Sequence, residues 1–351
     1  MKSEKRCYSF MYIGSSTRVN PAGGRMKYSY LTRLYCLLAV ILSVGQVQGQ
    51  TIERLDPALD ELISVDAKPE LITDLGEGAS VEGGVWKEDA SLPDGGYFLF
   101  SNRGPRQISR WSPNTELTMA YDLQKILPDM EAESSSSSGT ALDPEGRLVF
   151  CAGASHSVIR LEKDGTPTVL AHLTNGLPLH RPNDLVIKNN GSIFFTDNSR
   201  DETGKVPAAV YLIKDGKMTQ IIKGGGITGP NGITLSPDGK VLYVNNSPTR
   251  TVYRYDVLAD DTVANEKLFI DMSGRKEEGT TDGIKTDAQG NIYNTGPGGV
   301  WIISPEGKHL GTIRTPERLT NLAFGGKDGK TLFLVGHQML FHMQVKVGGI
   351  N

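Results

Sequence analysis

Cysteine is scarce: three residues in a chain of 351. Cys7 and Cys36 fall in an N-terminal stretch that reads as removed, so only Cys151 remains. An internal disulfide is therefore excluded from the mature chain, and stability must come from a large core. Cys151 lies in Leu148-Val149-Phe150-Cys151-Ala152, a buried-strand pattern, and reads as a core thiol rather than a nucleophile. An excess of basic residues is also missing. The net charge of -3 argues against a nucleic-acid partner. The Gly-x-Ser-x-Gly motif is absent, which argues against a serine-hydrolase triad. Gly224-Gly225-Gly226 lacks the Lys-Ser/Thr of a phosphate loop and reads as a turn. Aromatics are modest at 7%, whereas glycine is abundant at 41 residues, which suits many tight turns between short strands.

The apolar run Leu34 to Val44 is too short to span a bilayer comfortably. Lys27 and Arg33 precede it, and Val47-Gln48-Gly49 offers small residues for cleavage. Residues 1–49 therefore read as a secretory signal peptide. An ordinary signal length starts at Met26, which puts residues 1–25 upstream of that start. The expected mature protein, 50–351, is secreted or periplasmic, without stable membrane association. An N-terminal anchor is the competing reading.

A repeated unit organises the rest. Each copy is a short apolar strand, a turn with glycine, and a second apolar strand, the signal of a hairpin. The clearest copies run from Asn183 to Phe195, Asn231 to Tyr243, Asp282 to Tyr293 and Asn321 to Phe333. The turn glycines are read as Gly96, Gly146, Gly191, Gly239, Gly290 and Gly329, 39 to 51 residues apart. That period leaves room for about four strands per unit. Six units give an all-β, six-bladed β-propeller. Two packed β-domains would explain the strands but not the spacing. Leu55 to Ile63 reads as a short helix or a segment draped on the domain, and the serine run from Ser134 as a loop into the second blade.

Eight residues before the turn glycine, a small polar residue recurs: Ser138, Asn183, Asn231, Asp282 and Asn321. In the first unit, which has a longer turn, Glu82 takes that place. In a propeller the innermost strands line the central channel, so these six positions should form a ring at its mouth. Oxygen donors without Cys or His suit a hard cation, calcium first, with magnesium or manganese possible; they disfavour a structural zinc site and leave zinc only as a substitute ion. One such residue is ordinarily a turn former, but six in phase are not explained by turns alone.

Arg181-Pro182-Asn183-Asp184, Gly229-Pro230-Asn231-Gly232 and Thr281-Asp282-Gly283-Ile284 carry a resemblance. So does the stretch from Gly296-Pro297-Gly298-Gly299-Val300-Trp301 to Asn321-Leu322-Ala323-Phe324-Gly325-Gly326. Residues 70–345 resemble the SMP-30/gluconolactonase/regucalcin-like family. The resemblance implies a six-bladed propeller with one divalent cation, usually calcium, and lactone hydrolysis. It places Glu82, Asn231 and Asp282 as metal ligands, Asn183 as a metal or substrate ligand, and Asp282 as the catalytic carboxylate. Arg181 matches a substrate-holding arginine. Ser138, Asn321 and His156 line the channel in this reading. For His156 and His180 a surface or packing role is the simpler assignment. Two departures stand out: Glu82-Gly83-Gly84 replaces Glu-Gly-Pro, and Ser138 stands where Asn is common.

Chemically, the cation would polarise the lactone carbonyl and Asp282 would activate water, or attack directly. The expected function is a calcium-dependent hydrolase opening a sugar lactone such as gluconolactone. The alternatives are an esterase or organophosphatase on the same scaffold, and a non-catalytic propeller that binds calcium or another ligand.

Overall fold

The computed structural model describes residues 51–127, 136–199 and 201–350. The signal-peptide reading and Ser134 fall outside these residues. Six antiparallel sheets of at least four strands follow one another along the chain. Blade one is Val81–Glu88, Gly96–Asn102, Gln107–Ser112 and Thr115–Asp122. Blade two runs from Thr140–Leu142 to Pro167–Ala171, blade three from Pro182–Ile187 to Lys217–Lys223, and blade four from Pro230–Leu235 to Val263–Asp271. Blade five starts at Ile284–Thr286 and blade six at Leu319–Gly325. Each innermost strand touches the innermost strands of the blades before and after it, and blade six returns to blade one. This is the six-bladed propeller expected from the spacing.

The N-terminal segment closes the ring. Glu70–Asp74 pairs with Met339–Gln344 and supplies the outermost strand of blade six. Thr51–Arg54 adds a fifth strand to blade five by pairing with His309–Arg314. Between them, Pro57–Glu61 forms a 3-10 helix with Pro at its start and Asp56 as N-cap, the carboxylate accepting the Ala58 N–H at 2.9 Å. Its Leu59, with Leu62 and Ile63, is buried against Tyr293, Ile302 and Phe324.

The core is a set of apolar layers between neighbouring sheets, as alternation on two-sided strands requires. Phe98 of blade one stacks on Phe333 of blade six at 4.3 Å, and Tyr293 of blade five meets Phe324 edge-on at 5.1 Å. Cys151 is fully buried in this core, as expected. Five turn glycines have positive φ: Gly146, Gly191, Gly239, Gly290 and Gly329. In the first unit the left-handed residue is Gly95, at φ 74°, not Gly96, which begins the strand. The two adjacent glycines made these positions indistinguishable by composition.

Blades three and four are also clamped by charge. Asp261, buried in the outer hairpin of blade four, bonds Lys188 and Lys214 of blade three at 2.6 and 2.7 Å. Asn190 and Ser192 also donate to it, each at 2.9 Å. Burial alone would raise this carboxyl's pKa, but the two lysines and two neutral donors outweigh it and hold the group well below the usual range. The clamp therefore stabilises the fold above the unfolded-state pKa, about 3.9, and is lost as pH falls through the lower native value. Asp261→Asn is expected to cost about 1–3 kcal/mol at pH 7, because the lysines remain partly hydrated. Chemical denaturation of both proteins should show this deficit shrinking below about pH 4.

Candidate active site at the channel mouth

Four of the six ring residues lie inside their inner strands rather than before them: Glu82, Asn183, Asn231 and Asn321. The reason is a register irregularity at the start of each of these strands, for example between Glu82 and Val85 and between Pro230 and Ile233. Pairing begins early, and the bulge turns the ring residue out of the normal alternation. Ser138 and Asp282 precede their strands, as expected.

The ring is held from outside by residues that the sequence reading missed. The second strand of a blade ends in a buried polar residue that reaches the next blade. Ser101 Oγ donates to the Ser138 carbonyl at 2.8 Å, Thr196 Oγ1 to the Asn231 carbonyl at 2.6 Å, and Asn245 Nδ2 to the Asp282 carbonyl at 2.6 Å. One position further on, Asp197 accepts the His180 and Arg181 N–H groups at 2.8 and 2.7 Å. Asn246 does the same for Thr228 and Gly229 at 3.0 and 2.7 Å. The signal was present: Phe100-Ser101-Asn102, Phe195-Thr196-Asp197, Val244-Asn245-Asn246 and Tyr293-Asn294-Thr295 all end an apolar run in a polar pair. Packing is equally tight. A Cβ at Gly232 would stand 2.1 Å from the Asp282 carbonyl oxygen, so only glycine fits there.

Glu82 and Asp282 are both buried and raise each other's difficulty. The Asp282 carboxyl is pushed well above the usual range by burial and then by Glu82, and that of Glu82 upward by burial. Asn231 stands beside Asp282 and favours its ionised form, and its Nδ2 donates to Ser247 Oγ at 3.1 Å. Asp282 receives Arg318 Nη2 on Oδ2 at 3.0 Å, and Arg103 Nη1 lies 4.0 Å from Glu82 Oε1. Neither arginine holds a ring position, so a search restricted to the ring passed over both. Asn183 takes its place on the ring, half-buried, with its carbonyl accepting the Gly139 N–H at 2.8 Å. The next residue, Asp184, is buried, lies 3.8 Å from Lys285, and has an Oδ2 without a hydrogen-bond partner among the described residues. Asn321 caps its own strand through the Leu322 N–H at 2.9 Å.

Arg181 is carried by the loop that Asp197 anchors, and its side chain packs near Gly153. His156 is exposed, and its Nδ1 meets the His180 carbonyl at 2.7 Å. The two histidine rings stand 6.3 Å apart beside this loop, so they border Arg181 rather than the carboxylate pair.

Among the described residues, no three His, Cys, Asp or Glu side chains converge as a metal-binding group. The donor set at the ring is two carboxylates with amide oxygens. Two buried like charges with an amide beside them fit a hard divalent cation and lack the imidazole or thiolate that zinc prefers. A cavity of about 760 Å³ lies at the other end of the inner strands and includes none of Glu82, Asn183, Asn231 or Asp282. Its size reflects the open propeller axis. The buried carboxylates Glu82 and Asp282 are at the ring instead.

Comparison with known proteins agrees with this architecture. The SMP-30/Gluconolactonase/LRE-like region matches residues 81–338. A gluconolactonase of Zymomonas mobilis is 26% identical over 87% of this chain and 90% of its own. Regucalcin of Danio rerio is 27% identical over 72% of this chain and 81% of its own. A solved gluconolactonase from Xanthomonas campestris superposes with a TM-score of 0.71 at 22% identity, over 85% of this chain and 95% of that one. A calcium-binding regucalcin from Agrobacterium tumefaciens gives 0.60 at 21%, over 79% and 94%. The two solved structures share the fold, and the family match covers the whole ring from Glu82 to Asn321: the chain belongs to the SMP-30/gluconolactonase/LRE-like family.

Proposed function

We propose that this chain is a lactonase that opens a sugar lactone to the corresponding acid with the help of a calcium ion. The observation that carries the reading is the buried pair Glu82 and Asp282 at the mouth of a propeller of this family. A binding-only propeller has no need of two carboxylates that repel each other in the channel. The gluconolactonase relative supports the reaction class, and the regucalcin relatives support the metal.

Glu82, Asn231 and Asp282, with Asn183, would hold the cation. When bound, calcium supplies a Lewis acid for the lactone carbonyl. Asp282 would take a proton from water as the general base. Attack by the carboxylate itself is the alternative. Arg181, placed by Asp197, orients a polar group of the substrate.

The test is hydrolysis of gluconolactone by residues 50–351. EDTA should abolish it and calcium should restore it. A rate unchanged by EDTA would remove the metal from the reading. The apolar run Leu34 to Val44 supports export, so the N-terminus recovered from the native host should lie near Gln50. An intact N-terminus in the cytosol would show the segment to be misread.

A further inference from the structure

The charge around the ring has a second consequence for the substrate. Glu82, Asp282 and Asp184 interact electrostatically with one another, and Lys285 pairs with Asp184. A divalent cation together with Lys285 neutralises these three carboxylates. Arg103 and Arg318 are then both in excess. They are neighbours at the mouth: each acts on Glu82, and each depresses the pKa of His337, after the larger effect of burial. Arg318 is exposed, Arg103 is about one-third exposed, and among the described residues each side chain meets a single acidic partner. Glu317, next in sequence to Arg318, does not balance them. Its carboxylate is held by the backbone N–H groups of Gln338 and Met339, the latter at 2.6 Å. That contact ties the loop of Arg318 to the turn that carries His337.

The topology puts these groups on one side of the mouth. Arg103 directly follows the second strand of blade one, and His337 directly follows the second strand of blade six. Arg318 directly precedes the inner strand of blade six. Blades six and one are adjacent. Two guanidinium groups therefore stand beside Glu82 and Asp282, and among the described residues most of their N–H donors are unspent. Such planar forks match carboxylate geometry.

We propose that Arg318 and Arg103 form a recognition site for an anionic substituent, so that the preferred substrate is a sugar lactone carrying a second, free carboxylate. The pair also competes with the cation, because Arg318 occupies an oxygen of Asp282. This inference rests on the lactonase reading for its substrate, but the binding measurements below do not.

Three measurements decide it. On the calcium-loaded chain, kcat/KM should be about 10- to 100-fold higher for glucaro-1,4-lactone than for gluconolactone, the range of one or two charge-assisted contacts. Arg318→Met and Arg103→Met should each erode that preference through KM, and Arg318→Lys should retain part of it. By calorimetry, methyl glucuronide should bind the loaded chain more tightly than methyl glucoside, and each Met variant should narrow that difference. Calcium affinity should rise several-fold in Arg318→Met, because a competing cation is removed. Thermal melts of the calcium-loaded variants should stay close to wild type, because the cation offsets the buried carboxylates that the arginines face. Equal kcat/KM for the two lactones in wild type, or a preference unchanged in both Met variants, would overturn the recognition pair. Calcium affinity unchanged in Arg318→Met would overturn the competition. If neither lactone is hydrolysed, the lactonase reading fails, and the two glycosides still decide whether the arginines read an anion.

Discussion

Asp282→Asn should lower kcat on a lactone by at least about 100-fold, the usual loss on removal of a general base, and saturating calcium should not restore it. The substitution preserves size and one oxygen. It removes the charge and the basicity. Both matter at this position, because Asp282 is buried beside Glu82 and faces Arg318 at 3.0 Å. Its backbone is fixed independently of the side chain: the carbonyl is held by Asn245 at 2.6 Å and the N–H by Thr295 Oγ1 at 2.8 Å. The variant should therefore fold, with a melting temperature close to wild type. Asn321→Ala is the control on the same ring. Asn321 spends its oxygen on the Leu322 N–H, so its loss should cost stability and only a small factor in kcat. Recovery of most of the activity of Asp282→Asn by excess calcium would show that Asp282 only holds the metal. The base would then have to be another group at the mouth.

The ring was legible in the sequence because two independent signals coincide there. Turn glycines require a left-handed residue, and five of the six read from spacing have positive φ. A polar residue at a fixed offset from those glycines then marks the ring. The supporting groups were harder to see, because Ser101, Thr196 and Asn245 sit at the ends of apolar runs, where a polar residue ordinarily signals the exit of a strand to solvent. Here they are fully buried and bond across to the next blade. Arg318 and Arg103 were missed for another reason. Their meeting depends on blade six lying against blade one, a contact between residues more than two hundred positions apart that no local pattern encodes. Residues 51–75 carry little periodicity for a related reason, since their strand partners lie far along the chain, in blades five and six. Glu70–Asp74 is an outer strand, exposed or half-buried along its length, so its pattern is weak although its position closes the ring.

Deleting residues 51–76 should abolish the cooperative fold. Blade six would lose its outermost strand, and Met339–Gln344 would present an open edge to solvent. Blade five would lose the strand Thr51–Arg54. The deletion also strips Leu59, Leu62 and Ile63 from the core shared with Tyr293, Ile302 and Phe324. Loss of one such buried aliphatic side chain costs about 2–5 kcal/mol, and three together approach the whole stability of a typical domain, about 5–15 kcal/mol. The truncated chain should lack a sharp thermal transition and its near-ultraviolet dichroism, and it should aggregate through the open edge. A circular permutant separates closure from mere length. Joining residue 350 to residue 51 through a short flexible linker, and opening the chain at the exposed turn near Gly216, keeps every strand and moves only the ends. That permutant should melt cooperatively and bind calcium. A truncated chain that melts as sharply as the full one would show that Glu70–Asp74 covers the blade without closing it. The ring at the mouth would then owe its stability to the inner strands alone.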